Sequence, residues 1–108
     1  MYFRIYTSTC RKSIHTFGKD ATLLNAQQEC NELAIAINKL QERDWIGGMT
    51  EEEHAKALDN LHEEIADVLI SIVNVLEIYK LNKFDINNAI EHKQTRQNQR
   101  IREFLKEY

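Results

Sequence analysis

The stretch EIADVLISIVNVLEIY, residues 64–79, decides the fold. Eleven of the fifteen residues from Ile65 to Tyr79 are apolar, and at helical spacing they face every direction. A helix that is apolar on all sides is buried over most of its surface. The stretch therefore predicts a core helix that packs against several neighbours.

Four polar residues follow one another along this apolar stretch at steps of three, four and three: Glu64, Asp67, Ser71 and Asn74. Those steps place them on one stripe of the helix. A buried carboxylate without a partner is costly or takes up a proton, so the two acids predict a partner for the stripe. Asn74 either binds a ligand or satisfies a buried polar network.

The segments on either side also read as helices, which predicts an all-α fold, an antiparallel bundle of the four-helix type. Apolar residues recur at three- and four-residue steps and are assigned to the core: Ala26, Cys30, Leu33, Ile37 and Leu40. The predicted boundaries follow from turn and capping residues. Residues 3–16 form a short helix or an irregular arm that ends at Gly18. Asp20 caps a second helix over residues 21–43, and a loop follows at residues 44–49. Thr50 caps a third helix that runs to Tyr79, and Asp85 caps a last helix that reaches the C-terminus.

Length and composition agree with this interpretation. The 108 residues predict one domain, residues 1–108, and 43% apolar with 29% charged residues is typical of a globular chain. Three glycines and no proline are too few for the turns of a β-sandwich or barrel. Fourteen basic and seventeen acidic residues give a net charge of -3, which argues against a nucleic-acid partner.

The sequence favours a soluble, cytoplasmic protein that does not contact a membrane. Two cysteines are too few for a disulfide framework, and the N-terminal residues do not resemble a signal peptide. The apolar stretch is shorter than the roughly 20 residues that a membrane span needs. An all-round apolar helix in so short a chain also predicts self-association, first as a homodimer and next as a tetramer built from two dimers.

Two pairs of acids are predicted to meet between the second and third helices. Glu29 and Glu32 are three residues apart, as are Glu64 and Asp67. In an antiparallel hairpin that turns at Gly48, both Glu29 with Asp67 and Glu32 with Glu64 lie at equal height, because their indices sum to the same value. Four converging carboxylates repel one another, and a hard divalent cation relieves this. Oxygen ligands alone predict Mg²⁺, with Mn²⁺ as a substitute.

Two simpler interpretations remain open. The acids are either ordinary solvated helix residues, or they form internal ion pairs with Lys39 or with the basic C-terminal tail.

At these residues the sequence resembles the MazG-type, all-α nucleoside triphosphate pyrophosphohydrolases. Their signature, EExxE followed by ExxD, reads here QECNE at residues 28–32 and EIAD at residues 64–67. The similarity extends over roughly residues 15–100. The first position is Gln28 rather than Glu, but the acids that ligate metal in the family are all kept. The resemblance therefore implies four metal ligands: Glu29, Glu32, Glu64 and Asp67.

The resemblance implies a function, the Mg²⁺-dependent hydrolysis of a (deoxy)nucleoside triphosphate to the monophosphate and pyrophosphate in nucleotide pool clearance. Either Glu32 or Glu63 would orient the attacking water. Further residues are expected to contact the nucleotide: Lys39, Asn74, Lys93, Arg96 and Arg100. The alternatives are a non-catalytic helical module that binds a nucleotide or a protein, and an enzyme similar to the phosphoribosyl-ATP pyrophosphatases.

Overall fold

The structure, a computed structural model, describes residues 3–107 and contains four α-helices and no strand over that range. The helices are α1 (Thr7–Phe17), α2 (Lys19–Ile46), α3 (Glu51–Ile78) and α4 (Lys83–Glu107). Together they hold 88% of the described residues, which confirms the all-α prediction. Residues 1, 2 and 108, which the predicted domain includes, lie outside the described range.

The junction between α1 and α2 is a single glycine. Gly18 has a φ of +90°, and its backbone N–H donates to the carbonyl of Ile14 at 2.8 Å, so it ends α1 as predicted. The prediction that Asp20 caps α2 is wrong. Gly18 occupies that position too, and Asp20 lies in the first turn, where the helix dipole favours an acid.

The turn between α2 and α3 is shorter than predicted. α2 continues to Ile46, so residues 44–46 are helical, and the connection is residues 47–50. Gly47 ends α2 because it adopts a φ of +77°. Thr50 caps α3 as predicted: its hydroxyl oxygen accepts the backbone N–H of Glu53 at 3.1 Å.

The start of α4 also differs from the prediction. The Asn82 side chain accepts the backbone N–H of Phe84 at 2.7 Å, and Asp85 lies in the first turn of the helix rather than at its cap. A short polar side chain was already available three residues earlier, so the helix begins at Lys83.

The antiparallel α2–α3 hairpin is the body of the molecule, and its contact surface repeats every seven residues. The residues of α2 that are buried or half-buried in this repeat are Thr22, Ala26, Glu29, Leu33, Ala36 and Leu40. The corresponding positions on α3 are Ala57, Leu61, Glu64, Val68, Ser71, Val75 and Ile78. Alternating steps of three and four are typical of antiparallel helices that pack side by side. We call this surface the seam.

The seam lies to one side of the predicted stripe on α2. Cys30 and Ile37, which the apolar pattern assigned to the core, are exposed, whereas Thr22 and Ala36 are buried. The small side chain of Ala36 allows the two helices to approach closely. One glutamate on each helix, Glu29 and Glu64, therefore lies within the seam itself.

α1 closes one end of the hairpin. It packs against both α2 and α3, and Cys10 is its buried residue. The Arg11 guanidinium donates to the carboxylate of Glu77 at 2.9 Å, which ties α1 to the end of α3.

α4 stands apart from the other three helices. Residues 83–106 are all exposed, and the α4 residues that line a cavity together with α3 are Lys83, Ile86 and Asn87, at the start of the helix. The Cα radius of gyration is 17.9 Å, against about 13 Å for a compact domain of this length. α3 also exposes apolar side chains on both sides of the seam, with Ile70 and Ile72 more than 40% exposed. The sequence predicted that α3 is covered on most sides. The neighbouring helices of one chain alone do not provide that cover.

None of the described helices is both long enough and apolar enough to span a bilayer.

Candidate metal centre

Glu29 and Glu64 occupy positions that the seam elsewhere gives to small or apolar residues. Both are half-buried, and they project from facing helices into the same space. The seven-residue repeat of each helix puts them there, since Glu29 is seven residues from Thr22 and Glu64 seven from Ser71. The fold thus sets two carboxylates between hydrophobic layers.

Asp67 completes a group of three carboxylates. One oxygen each of Glu29, Glu64 and Asp67 lies within 4.8 Å of the others. Oxygens that ligate one Mg²⁺ at about 2.1 Å lie about 3–4 Å apart, so small side-chain rotations would bring these three onto one ion. Asp67 is exposed, so the group opens to solvent on one side.

Glu32 lies beside the other three, on the exposed face of α2. Its carboxylate is close enough to both Glu29 and Glu64 to interact with each. The height match between the two ExxE/D pairs therefore brings all four side chains to one place. We call Glu29, Glu32, Glu64 and Asp67 the acidic cluster.

The electrostatics of the cluster favour a cation. Burial raises the pKa of Glu29, and the negative charges of Asp67 and Glu32 raise it further. Burial likewise raises the pKa of Glu64, with the charges of Glu32 and Asp67 adding to the effect. Without a cation, these two carboxylates therefore ionise less readily than an exposed glutamate.

The charges in the cluster have no protein partner among residues 3–107. One oxygen of Glu29 and one of Glu64 are buried without a hydrogen bond. The ion pairs in the described part of the chain are Arg11 with Glu77 and Lys56 with Glu52, so none involves the cluster. Internal pairing of Glu29 or Glu32 with Lys39 or with the basic tail is therefore absent within this range. The donor set, all oxygen and acidic, suits a hard divalent cation such as Mg²⁺.

A cavity lies further along the same groove, where α1 meets the hairpin. It has a volume of about 330 Å³ and is lined by Ser13, Phe17, Ala21, Thr22, Asn25 and Asn74. Asn74 is 93% buried, because its relative exposure is 7%, and its Oδ1 atom has no hydrogen-bond partner among the described residues. A buried unpaired acceptor costs about 1–3 kcal/mol, which a ligand could recover. We call this the Asn74 cavity.

The predicted cations are not assembled with the acids in a single chain. Lys39 is exposed and lines a separate cavity next to the Gly47 turn, two helical turns from Glu32. Lys93, Arg96 and Arg100 share a face of α4 as predicted, and they line a small depression of their own. We call these three residues the basic stripe. Since α4 packs on the hairpin only through its first turn, the stripe remains apart from the acidic cluster.

The remaining predicted residues lie at the edge of the site. Glu63 is exposed, and its charge contributes to the raised pKa of Glu64. Gln28 is exposed next to Glu29.

Sequence reasoning missed the part that α1 plays in the groove. Phe17 and Ser13 carry no recognisable motif, and only their position in the fold brings them to Asn74. Thr22 and Asn25 could have been found, because they lie seven and four residues before Glu29 on the same helix.

Comparison with known proteins agrees with this geometry. A family model described as MazG nucleotide pyrophosphohydrolase domain matches residues 17–102, which include the whole acidic cluster. No curated protein and no solved structure matches the chain.

Proposed function

Because the chain belongs to the MazG nucleotide pyrophosphohydrolase family, we propose that it hydrolyses a (deoxy)nucleoside triphosphate to the monophosphate and pyrophosphate with Mg²⁺, and so clears nucleotides from the cellular pool. Mn²⁺ is the expected substitute for Mg²⁺. The family match supports a nucleotide pyrophosphohydrolase in general, and the acidic cluster supports the metal.

The observation that carries the proposal is the pair of unpartnered carboxylate oxygens in the seam. Within residues 3–107, Glu29 and Glu64 each bury an oxygen that forms no hydrogen bond, and one oxygen of Asp67 lies within 4.8 Å of a carboxylate oxygen of each. A protein that only needed a stable hairpin would have apolar residues at these positions. A bound cation accounts for their chemistry, with Glu29, Glu32, Glu64 and Asp67 as its ligands.

Mg²⁺ held there would neutralise charge on the triphosphate and polarise its phosphoryl oxygens. The chain itself supplies positioning and electrostatic stabilisation, which are the main requirements of phosphoryl chemistry. The rigid helices α2 and α3 fix the carboxylates, and the open side at Asp67 admits the substrate.

We assign the orientation of the attacking water to Glu32 in preference to Glu63. The Glu32 carboxylate interacts with both Glu29 and Glu64, whereas the charge of Glu63 is the smallest of the influences on Glu64. Glu32 is also exposed, so it can accept a hydrogen bond from a water that approaches from the open side.

The remaining charge of the triphosphate requires cations, and we propose that a second copy of the chain supplies them. α4 carries the basic stripe but packs on its own hairpin only at its first turn. In a homodimer, or a tetramer of two such dimers, the stripe of one copy would face the acidic cluster of the other. Asn74 is proposed to contact the nucleotide from the groove within one chain, and Lys39 from its separate position beside the Gly47 turn.

The test is to incubate the purified protein with Mg²⁺ and each deoxynucleoside and ribonucleoside triphosphate, and to separate the products by ion-exchange chromatography. We expect monophosphate and pyrophosphate in equal amounts for at least one nucleotide, and no turnover when EDTA is added. Glu52→Gln is the matched control, because it removes an exposed α3 carboxylate outside the cluster. It should retain wild-type turnover, whereas Asp67→Asn should not.

Other products would identify a different activity. Stabilisation by a nucleotide without pyrophosphate release would instead indicate a binding module, which the Gln28 departure from the family motif favours. Turnover of phosphoribosyl-ATP alone would indicate the related pyrophosphatase. Release of the nucleoside diphosphate and inorganic phosphate would contradict both pyrophosphohydrolase activities.

A further inference from the structure

We propose that the Asn74 cavity is the subsite for the base of the nucleotide, and that the Asn74 carboxamide hydrogen-bonds to the edge of that base. The inference rests on the proposed function and adds to it the part of the site that distinguishes one nucleotide from another.

The first argument is the unused hydrogen-bonding capacity of Asn74. Its side chain lines the cavity and is 93% buried, yet no residue in the described part of the chain forms a hydrogen bond with Oδ1. A carboxamide offers a donor and an acceptor side by side, and its terminal torsion has two nearly equivalent orientations. The edges of nucleobases present the complementary adjacent donor and acceptor groups.

The second argument is the position of the cavity. Asn74 follows Asp67 by seven residues, which is about 10.5 Å along α3, and Thr22 precedes Glu29 by the same number on α2. Cavity and acidic cluster therefore lie on the same side of the hairpin, two helical turns apart. A nucleotide whose phosphates lie at the acids has a sugar and base long enough to cover this distance.

The third argument is the composition of the walls. The Phe17 ring and the Ala21 methyl group supply apolar surface for the faces of a base, and Asn25 and Ser13 add polar groups at the rim. Thr22 already uses its hydroxyl hydrogen, since it donates to the Gly18 carbonyl at 2.7 Å. Thr22 can therefore only accept a hydrogen bond from a ligand, whereas the carboxamide of Asn74 carries both a donor and an acceptor group.

The experiment is a nuclear magnetic resonance titration of ¹⁵N-labelled full-length protein with each deoxynucleoside. Nucleosides lack phosphate, so they report on the cavity alone and need neither metal nor turnover. We expect at least one nucleoside, at millimolar concentration, to shift the side-chain amide signals of Asn74 and Asn25. Asn60, which is exposed elsewhere on α3, is the internal reference and should not shift.

A filled cavity provides the matched variant. Ala21 is exposed at the cavity wall, so Ala21→Leu should fill the space without disturbing the seam. It should abolish the nucleoside-induced shifts and raise the KM for the preferred triphosphate at least about tenfold, with kcat less affected. Asn74→Leu should reduce the preference between the best and worst bases at least about tenfold. Asn60→Leu should change neither quantity.

The two proposals fail in different ways. An active enzyme whose Asn74 signals ignore all nucleosides, or whose base preference survives both cavity variants, overturns the base subsite and leaves the pyrophosphohydrolase standing. Nucleoside-dependent shifts in a protein that hydrolyses no nucleotide support the subsite and overturn the enzyme.

Discussion

Two glutamates lower the stability of the metal-free fold at the positions where we propose that a cation binds. Glu29 and Glu64 hold seam positions that would accept leucine or alanine without strain, and each buries an oxygen that no described residue satisfies. Like charges placed together in a partly buried site destabilise the metal-free fold. The same arrangement raises the affinity for a cation, because the cation removes the repulsion.

Neutralising one acid separates these two effects. Glu64→Gln should lower kcat/KM by more than about 100-fold, because it removes a metal ligand. Its melting temperature without metal should equal or exceed that of the wild type, since charge repulsion is relieved. Steady-state kinetics and thermal denaturation in EDTA measure the two quantities. Turnover near that of the wild type would exclude Glu64 from the metal site.

The pH dependence of stability follows from the raised pKa values of Glu29 and Glu64. The two carboxyl groups hold their protons more tightly in the folded state than in the unfolded state. The contribution of these protons to the free energy of unfolding is therefore complete below the unfolded pKa of about 4.3. It is lost as the pH rises through the folded pKa values. We therefore expect the metal-free wild type to lose stability, relative to the Glu29→Gln/Glu64→Gln variant, as the pH increases over this window.

Urea denaturation of both proteins in EDTA at a series of pH values measures the difference. Mg²⁺ should reduce the difference in stability between the two proteins, and the reduction should be larger at higher pH. A difference that is constant with pH would mean that the two carboxyls titrate normally.

At the scale of helices, local sequence patterns predicted which helices exist. They also predicted the helix ends that depend on a single residue. Thr50 and Gly18 act where the sequence indicated, because a hydroxyl before three acids and a glycine in a positive-φ position have few alternative roles. Asp20 and Asp85 were misassigned, since an acid is favoured at both the cap and the first turn. Tertiary packing, which one helix cannot reveal, placed Ala36 rather than Ile37 in the seam.

The cap of α3 is a measurable contribution to hairpin stability. Thr50→Ala removes the acceptor for the Glu53 backbone N–H and should lower the free energy of unfolding by about 1 kcal/mol. Thr50→Asp should preserve most of it, because Asp is an equally good cap. Chemical denaturation measures both variants, and an equal loss in both would show that the hydroxyl, not the cap geometry, matters.

At the scale of the molecule, the sequence predicted the approach of the acids better than it predicted their surroundings. Two carboxylate pairs at matched height follow from the positions of the acids and one turn. The structure brings oxygens of Glu29, Glu64 and Asp67 within 4.8 Å of one another, and Glu32 interacts with Glu29 and Glu64. Their role as metal ligands stays a prediction. The position of the basic stripe could not be predicted, because it depends on what α4 packs against. Residues 83–106 are exposed in one chain, including Ile90 and Ile101, so under the proposed assembly this information lies in an interface between chains.

The exposed apolar faces predict association in solution. We expect light scattering with size-exclusion chromatography to give at least twice the mass of one 12.7 kDa chain. Ile72→Glu, at an exposed apolar position of α3, should shift the protein toward the monomer, whereas Asn60→Glu should not. A wild type that remains monomeric at micromolar concentration would contradict the proposed assembly.

Complementation tests whether the active site is shared. Arg96→Ala and Glu64→Gln should each be inactive alone. When they are co-expressed in equal amounts, about half of the dimers are mixed, and each has one intact site, so activity should recover to about 25% of the wild type. Activity that stays at the level of the single variants would show that the stripe does not act across chains.

The seven-residue repeat has a consequence for how the gene can change in length. One codon inserted between the Gly47 turn and Glu29 rotates everything beyond it by about 100° on α2, which turns that glutamate away from Asp67. A gain or loss of residues is compatible with the site only in the turn itself, beyond the ends of the hairpin, or as matched heptads in both helices. Homologues should therefore vary in length at those places. The number of residues between the turn and the acids should stay the same or change by a multiple of seven.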